Sequence, residues 1–137
     1  MKQIAYRAGY KYQLARPYSV EIEIKPETNV WTDYIRLATN GVLTIEHGYS
    51  WDGPSGPAID TKNFMRGSLV HDALYQLMRG GYIDRTHARN TADQILKRIC
   101  REDGMSALRA QWVYLGVRIG GALSADPESE RPVISAP

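Results

Sequence analysis

The chain has 137 residues and a mass of 15.4 kDa, a length that suits one domain and leaves little room for a second. Seventeen Lys and Arg against fifteen Asp and Glu give a formal charge of +2, so no specific nucleic-acid binding is expected. The single cysteine, Cys100, excludes an internal disulfide and any multi-cysteine zinc site.

The first fifty residues read as strands. In YSVEIEIK, Val20, Ile22 and Ile24 alternate with Glu21, Glu23 and Lys25, the period-two signature of a half-buried strand. YIRLA and VLTIEHG flank Asn40-Gly41, a pair suited to a type I′ hairpin turn in which both central residues take positive φ. Tyr6, Tyr10, Tyr12 and Tyr18 suggest a further strand near the start. From Gly48 to Gly56, GYSWDGPSG is rich in turn formers and reads as a loop anchored by Tyr49 and Trp51.

The remainder reads as helical. From about Phe64 to Met78, Leu69, Val70, Ala73, Leu74, Leu77 and Met78 recur at spacings of three and four, and Gly80-Gly81 ends the segment. Asp84 is the expected N-cap of a second helix running to about Asp103, with Ala88, Ala92, Ile95, Leu96 and Ile99 as its apolar positions. A third helix, about Ser106 to Leu123, carries Leu108, Trp112, Leu115 and Ile119. The Trp112/Tyr114 pair is expected in core packing, or in an interface if the protein is an assembly component. Arg98, Arg101, Arg109 and Arg118 are expected on a solvated face, and Cys100 beside Ile99 as a buried, inert thiol. Residues 125–137, ADPESERPVISAP from Ala125, have little to bury and read as a flexible tail.

The short link between the first two helices predicts an antiparallel hairpin. His71 and Tyr75, four apart in HDALY, share a helix face, while Asp72 lies about 100° round. Asp93 sits among apolar positions of the second helix, where a carboxylate is costly without a partner. Across the hairpin that partner is His71 or the Tyr75 hydroxyl. A His held by an Asp at one ring nitrogen presents the other to a water proton. Asp72 is placed to ligate a hard cation together with main-chain carbonyls of the Trp51–Gly56 loop. The plain alternative for His71 and Asp93 is a structural hydrogen bond between helices, and for Asp72 a solvated or loop-capping carboxylate.

HDxxY in a helix, an upstream Gly/Pro loop and a later Ala92-Asp93-Gln94 resemble the phospholipase A2 pattern, most closely the disulfide-free phospholipase domain of parvovirus capsid proteins. The resemblance covers about Trp51 to Ile99. It implies a His/Asp dyad that activates water while Ca2+ polarises the ester carbonyl. On that basis His71 is the base, Asp93 its orienting partner, Tyr75 a member of the same catalytic group and Asp72 the calcium ligand. Main-chain groups of Trp51, Gly53 and Gly56 would complete the calcium site, and the substrate would be phospholipid or another ester.

A second resemblance covers more of the chain. The strand-rich start, the GYSWDGPSGP loop, VHDALY, TADQ and the last Trp/Tyr helix are similar to an uncharacterised domain family of bacteriophages and prophages. It implies a phage protein made in the host cytoplasm. The non-enzymatic alternative is a tail or baseplate component of the virion, with other phage structural proteins as partners and the His/Asp pair kept for structure.

Other chemistries fit poorly. A His/His-Asp/Asp metal phosphohydrolase would need His47, which falls at a strand end rather than on a helix, and no GxSxG elbow is present for a serine hydrolase. No apolar run follows the charges of MKQIAYRAGYKYQ, so no secretory leader is expected. No stretch approaches about eighteen apolar residues, so no membrane span is expected either. The expected architecture is α+β: an N-terminal antiparallel β unit, a Gly/Pro loop, then three helices, in one domain over residues 1–124.

Overall fold

The computed structural model describes residues 3–7, 12–52 and 62–125. Its architecture is α+β. Among the described residues, seven short strands precede three helices, and every strand pairing is antiparallel. One three-stranded sheet runs in the order β1 (Tyr6–Arg7), β2 (Tyr12–Leu14), β7 (Ser50–Trp51). A four-stranded sheet runs in the order β3 (Tyr18–Glu21), β6 (Val42–Ile45), β5 (Ile35–Leu37), β4 (Val30–Trp31). The helices are α1 (Lys62–Arg79), α2 (Arg85–Glu102) and α3 (Ala107–Ala125). The expected tail beyond this last helix lies outside the described residues.

Three details of the β unit differ from expectation. The alternation that starts at Tyr18 stays in a strand only to Glu21. Ile22 is still buried, and its N–H donates to the Gly41 carbonyl (2.8 Å) at the next position of the register, but Gly41 N–H turns to Ala38 instead of returning the bond, and the ladder ends there. The β5–β6 turn is not type I′, because Asn40 keeps a negative φ and Gly41 alone, at +88°, is left-handed. With Gly41 N–H donating to the Ala38 carbonyl (2.9 Å) and Ala38 N–H to that of Val42 (3.0 Å), it is a three-residue loop closed by a glycine bulge. Finally, the segment read as loop from Gly48 contains β7. Gln13 and Ser50 stand opposite each other, as do Tyr12 and Trp51, so this strand ties the loop's start to the N-terminal hairpin.

Inward residues of the four-stranded sheet, Tyr18, Ile35, Leu37, Leu43 and Ile45, share one core with Leu69, Val70, Ala73, Leu74 and Leu77 of α1 and Ala92, Ile95 and Ile99 of α2. A smaller cluster of Phe64, Leu96, Cys100, Met105 and Ala110 lies beneath α3. Arg66, buried on α1, spans both layers. It donates to the Tyr18 hydroxyl (2.8 Å) and grips Asp103 and Glu102 at the end of α2.

The helix ends follow the sequence. Asp84 caps α2 through the Thr86 N–H (2.9 Å). After α1, Gly81 N–H donates to Met78 and Tyr82 N–H to Leu77, the paired bonds of a Schellman motif. That tight reversal makes α1 and α2 antiparallel. Trp51 locks β7 to α1 by donating its indole N–H to Ser68 Oγ (3.0 Å).

On α3 the structure corrects the expectation of core packing. Leu108, Trp112 and Ile119 are 72%, 67% and 85% exposed, and Leu115 is also exposed. The helix instead turns Ala110, Val113 and Val117 inward. Tyr114 lies over the polar side of α2, donating to Asn90 (2.9 Å) and accepting from Gln94 (3.2 Å).

Gly41 gives a direct check on the hairpin. An added Cβ would sit 2.3 Å from the Ile22 carbonyl oxygen, on a backbone that side chains rarely adopt. Gly41→Ala should lower stability by about 1–3 kcal/mol in urea unfolding monitored by circular dichroism, with the far-UV spectrum of the folded state unchanged.

Candidate functional site

The candidate site forms where the three helices meet, around a carboxylate with no exposure to water. Asp93 follows Ala92 on the buried stripe of α2, so its side chain enters the core. His71 and Tyr75, one turn apart on α1, both reach it. His71 Nε2 lies 2.7 Å and the Tyr75 hydroxyl 2.6 Å from Asp93 Oδ1. Their rings stack at 4.2 Å between centroids. From α3, Arg118 Nη1 donates to the other oxygen, Oδ2, at 2.9 Å.

The protonation pattern follows from these contacts. Burial pushes the Asp93 carboxyl upward. The hydrogen bonds from His71 and Tyr75, the charge of His71 and the Arg118 bond outweigh it and hold the group below its ordinary range. Asp93 is therefore an acceptor only, which requires His71 Nε2 to carry a proton and donate it. In the neutral ring the lone pair then resides on Nδ1. That atom makes no hydrogen bond among the described residues, and the His71 side chain keeps 10% exposure. Tyr75 is pushed upward by burial and then by Asp93, so it donates to the carboxylate and does not exchange its proton near neutrality. It positions Asp93.

Close packing admits this arrangement. Gly121 on α3 faces Tyr75, and a Cβ there would lie 2.5 Å from the phenol oxygen. Arg89 of α2 also borders the phenol. It donates through Nη2 to the Arg118 carbonyl, while its buried Nε has no hydrogen-bond partner among the described residues.

Asp72 stands apart from this group. It is half-buried beside Asp52, Arg79 and Tyr49 rather than beside His71's partner. Burial, then repulsion from Asp52, raise its carboxyl to about 7 despite the opposing charge of Arg79. Two neighbouring carboxylates, one of them poorly solvated, have donor chemistry that suits a hard cation. Among the described residues, however, no group of three or more His, Cys, Asp or Glu side chains is placed to hold a metal. Trp51, at the end of β7, is fixed by its indole and by pairing with Tyr12; the other expected main-chain ligands, Gly53 and Gly56, lie outside the described residues.

Arg118 was expected on a solvated face and is instead a partner of Asp93. Nothing in the spacing of the Arg residues separates it from its neighbours. Its signal was indirect: a fully buried carboxylate with two oxygens needs more than one His and one Tyr. Arg98 and Arg101 are exposed as expected; Arg98 makes surface pairs with Glu23 and Glu102, and Arg101 donates to the Met105 carbonyl (2.7 Å). Cys100 is buried as expected, and burial pushes its thiol up to about 12, away from nucleophile chemistry.

Fold and site together define an α+β chain whose helical half encloses a His–Asp pair. Residues 29–117 match the model of a family described as a protein of unknown function (DUF1353), and the chain belongs to that family. The match takes in His71, Asp72, Tyr75 and Asp93 and ends one residue before Arg118. No curated protein and no solved structure matches the chain. Among the described residues, no helix is long and apolar enough to cross a membrane.

The environment of Asp72 sets a pH dependence. A carboxyl raised in the fold binds its proton more tightly there than in the unfolded chain, so its contribution to stability falls as pH rises from about 4 through about 7. In metal-free buffer, Asp72→Asn should match the wild type near pH 4. At pH 8 it should be more stable by about 2 kcal/mol, a figure discounted for partial exposure. Thermal melts across that range measure the difference.

Proposed function

We propose that this chain is a phage-encoded hydrolase of phospholipase A2 type, in which His71, oriented by Asp93, activates water against an ester. The observation that carries the reading is the 2.7 Å contact between His71 Nε2 and buried Asp93, which leaves Nδ1 as the ring's basic atom. His71 Nδ1 takes a proton from water as the water oxygen bonds to the ester carbonyl carbon. The resulting imidazolium is stabilised by Asp93 and returns the proton to the departing alkoxide as the carbon–oxygen bond breaks. Water is consumed, and acid and alcohol are released.

Tyr75 and Arg118 hold the Asp93 carboxylate in place, so the imidazole is kept in one orientation during both transfers. Asp72 would hold calcium, with Asp52 adding negative charge nearby and main-chain oxygens of Trp51, Gly53 and Gly56 as further ligands. Calcium in that place would supply Lewis-acid polarisation of the ester carbonyl. Phospholipid is the first substrate to test.

A second reading draws on a different observation. The uncovered apolar face of α3 suits an assembly part, and a carboxylate engaged on both oxygens suits a structural lock. In that case the chain is a non-enzymatic tail or baseplate component carried in the virion among other phage structural proteins.

His71→Gln separates the two. Gln keeps much of the volume and can still donate to Asp93, so the melting temperature should change little, with a stability cost of about 1 kcal/mol. It cannot take a proton near neutrality, so ester hydrolysis should drop at least ~10²-fold. The assay is fatty-acid release from mixed phospholipid vesicles, with calcium and with chelator. Wild-type protein that releases nothing above a protein-free control would end the hydrolase reading.

A further inference from the structure

α3 is apolar on two opposite sides, but the described residues cover only one. Ala110, Val113 and Val117 face the other helices. On the far side, Leu108, Trp112, Leu115 and Ile119 occupy an arc of about 60° at 100° per residue, and all four are exposed. A helix that is apolar all round is normally buried all round.

From these observations we infer that α3 is the contact surface for a second copy of this chain, packing α3 against α3 about a two-fold axis. Three features favour that occupant. The first is spacing. Steps of four, three and four along the stripe give the narrow seam by which one helix packs against another, and a two-fold axis makes such a seam complementary to itself. The second is size. Covering these four side chains on both copies would remove on the order of 1,000 Å2 from water, the area at which specific interfaces begin.

The third is charge and shape. α3 has no acidic residue, and its two cations are engaged within the chain, Arg118 with Asp93 and Arg109 with a partner of its own. The stripe therefore lacks the uncommitted basic rim by which a helix binds an anionic lipid surface. Gly116 lies about 40° beyond Trp112, at the edge of the stripe, and among the described residues an added Cβ there would meet nothing within 4 Å. A solvent-facing glycine weakens a helix without serving its own fold. It lets a second helix approach closely.

This contact is independent of the hydrolase reading, although it touches the same site. α3 brings Arg118 to Asp93 from one side and the seam to its partner from another, so dimerisation would steady the helix that completes the Asp93 cluster.

Sedimentation equilibrium of the full chain tests it. The wild type should approach twice 15.4 kDa by about 100 µM. Trp112→Ser with Ile119→Ser should stay monomeric at the same concentration with an unchanged far-UV spectrum, since both side chains are already exposed. Gly116→Ala should raise the helix content or melting temperature of the monomer while weakening association at least tenfold. A wild type that is monomeric at about 100 µM overturns the inference, as does a serine variant that still dimerises. A monomeric wild type that co-sediments with phosphatidylcholine/phosphatidylglycerol vesicles would assign the face to lipid and overturn it too.

Discussion

A carboxylate without contact with water must be matched by donors on all sides, or its desolvation costs several kcal/mol. Asp93 meets that demand by drawing one side chain pair from α1, an Arg from α3 and its own backbone from α2 into one cluster. The constraint is geometric as well as electrostatic. His71 and Tyr75 can share Oδ1 only because they are one turn apart, and Tyr75 fits only because Gly121 has no side chain. The helical half of the molecule is thus organised around a polar contact, with apolar packing filling the space about it. The β unit is joined to that half by a second buried ion, Arg66, which links Tyr18 to the end of α2.

The geometry of this cluster is compatible with either a catalytic dyad or a structural lock. An ionised Asp bound to one imidazole nitrogen fixes the tautomer and leaves the other nitrogen basic, the arrangement that activates water. Yet Arg118 partly neutralises the carboxylate, which strengthens the lock and weakens its pull on the imidazole. Asp72 lies on the neighbouring face of α1, so His71 and the proposed cation ligand are adjacent in sequence while their partners are separate in space. That separation suits a division of labour between water activation and carbonyl polarisation.

Much of this was legible in the residues because it rests on local rules. Helix periodicity, the Asp84 cap and Gly80-Gly81 located the helices, and the i, i+4 spacing of His71 and Tyr75 with a carboxylate on the facing stripe located the cluster. What escaped depended on long-range packing. The Asn40-Gly41 turn could be either of two hairpin types, and the approach of Gly41 to Ile22 from a third segment accompanies the bulged one. β7 is two residues long and exists only through pairing with β2. The third helix has apolar residues on both faces, so periodicity could not say which face turned inward. Arg118 looked like the other surface arginines, because its buried partner is 25 residues away in sequence.

The proposed role of His71 depends on which of its ring nitrogens carries the proton. Nitrogen-15 chemical shifts of its ring at pH 8, measured on selectively labelled protein, report which nitrogen bears the proton. A proton on Nε2, coupled to Asp93, with Nδ1 unprotonated is the predicted result. A proton on Nδ1 with Nε2 bare would contradict it.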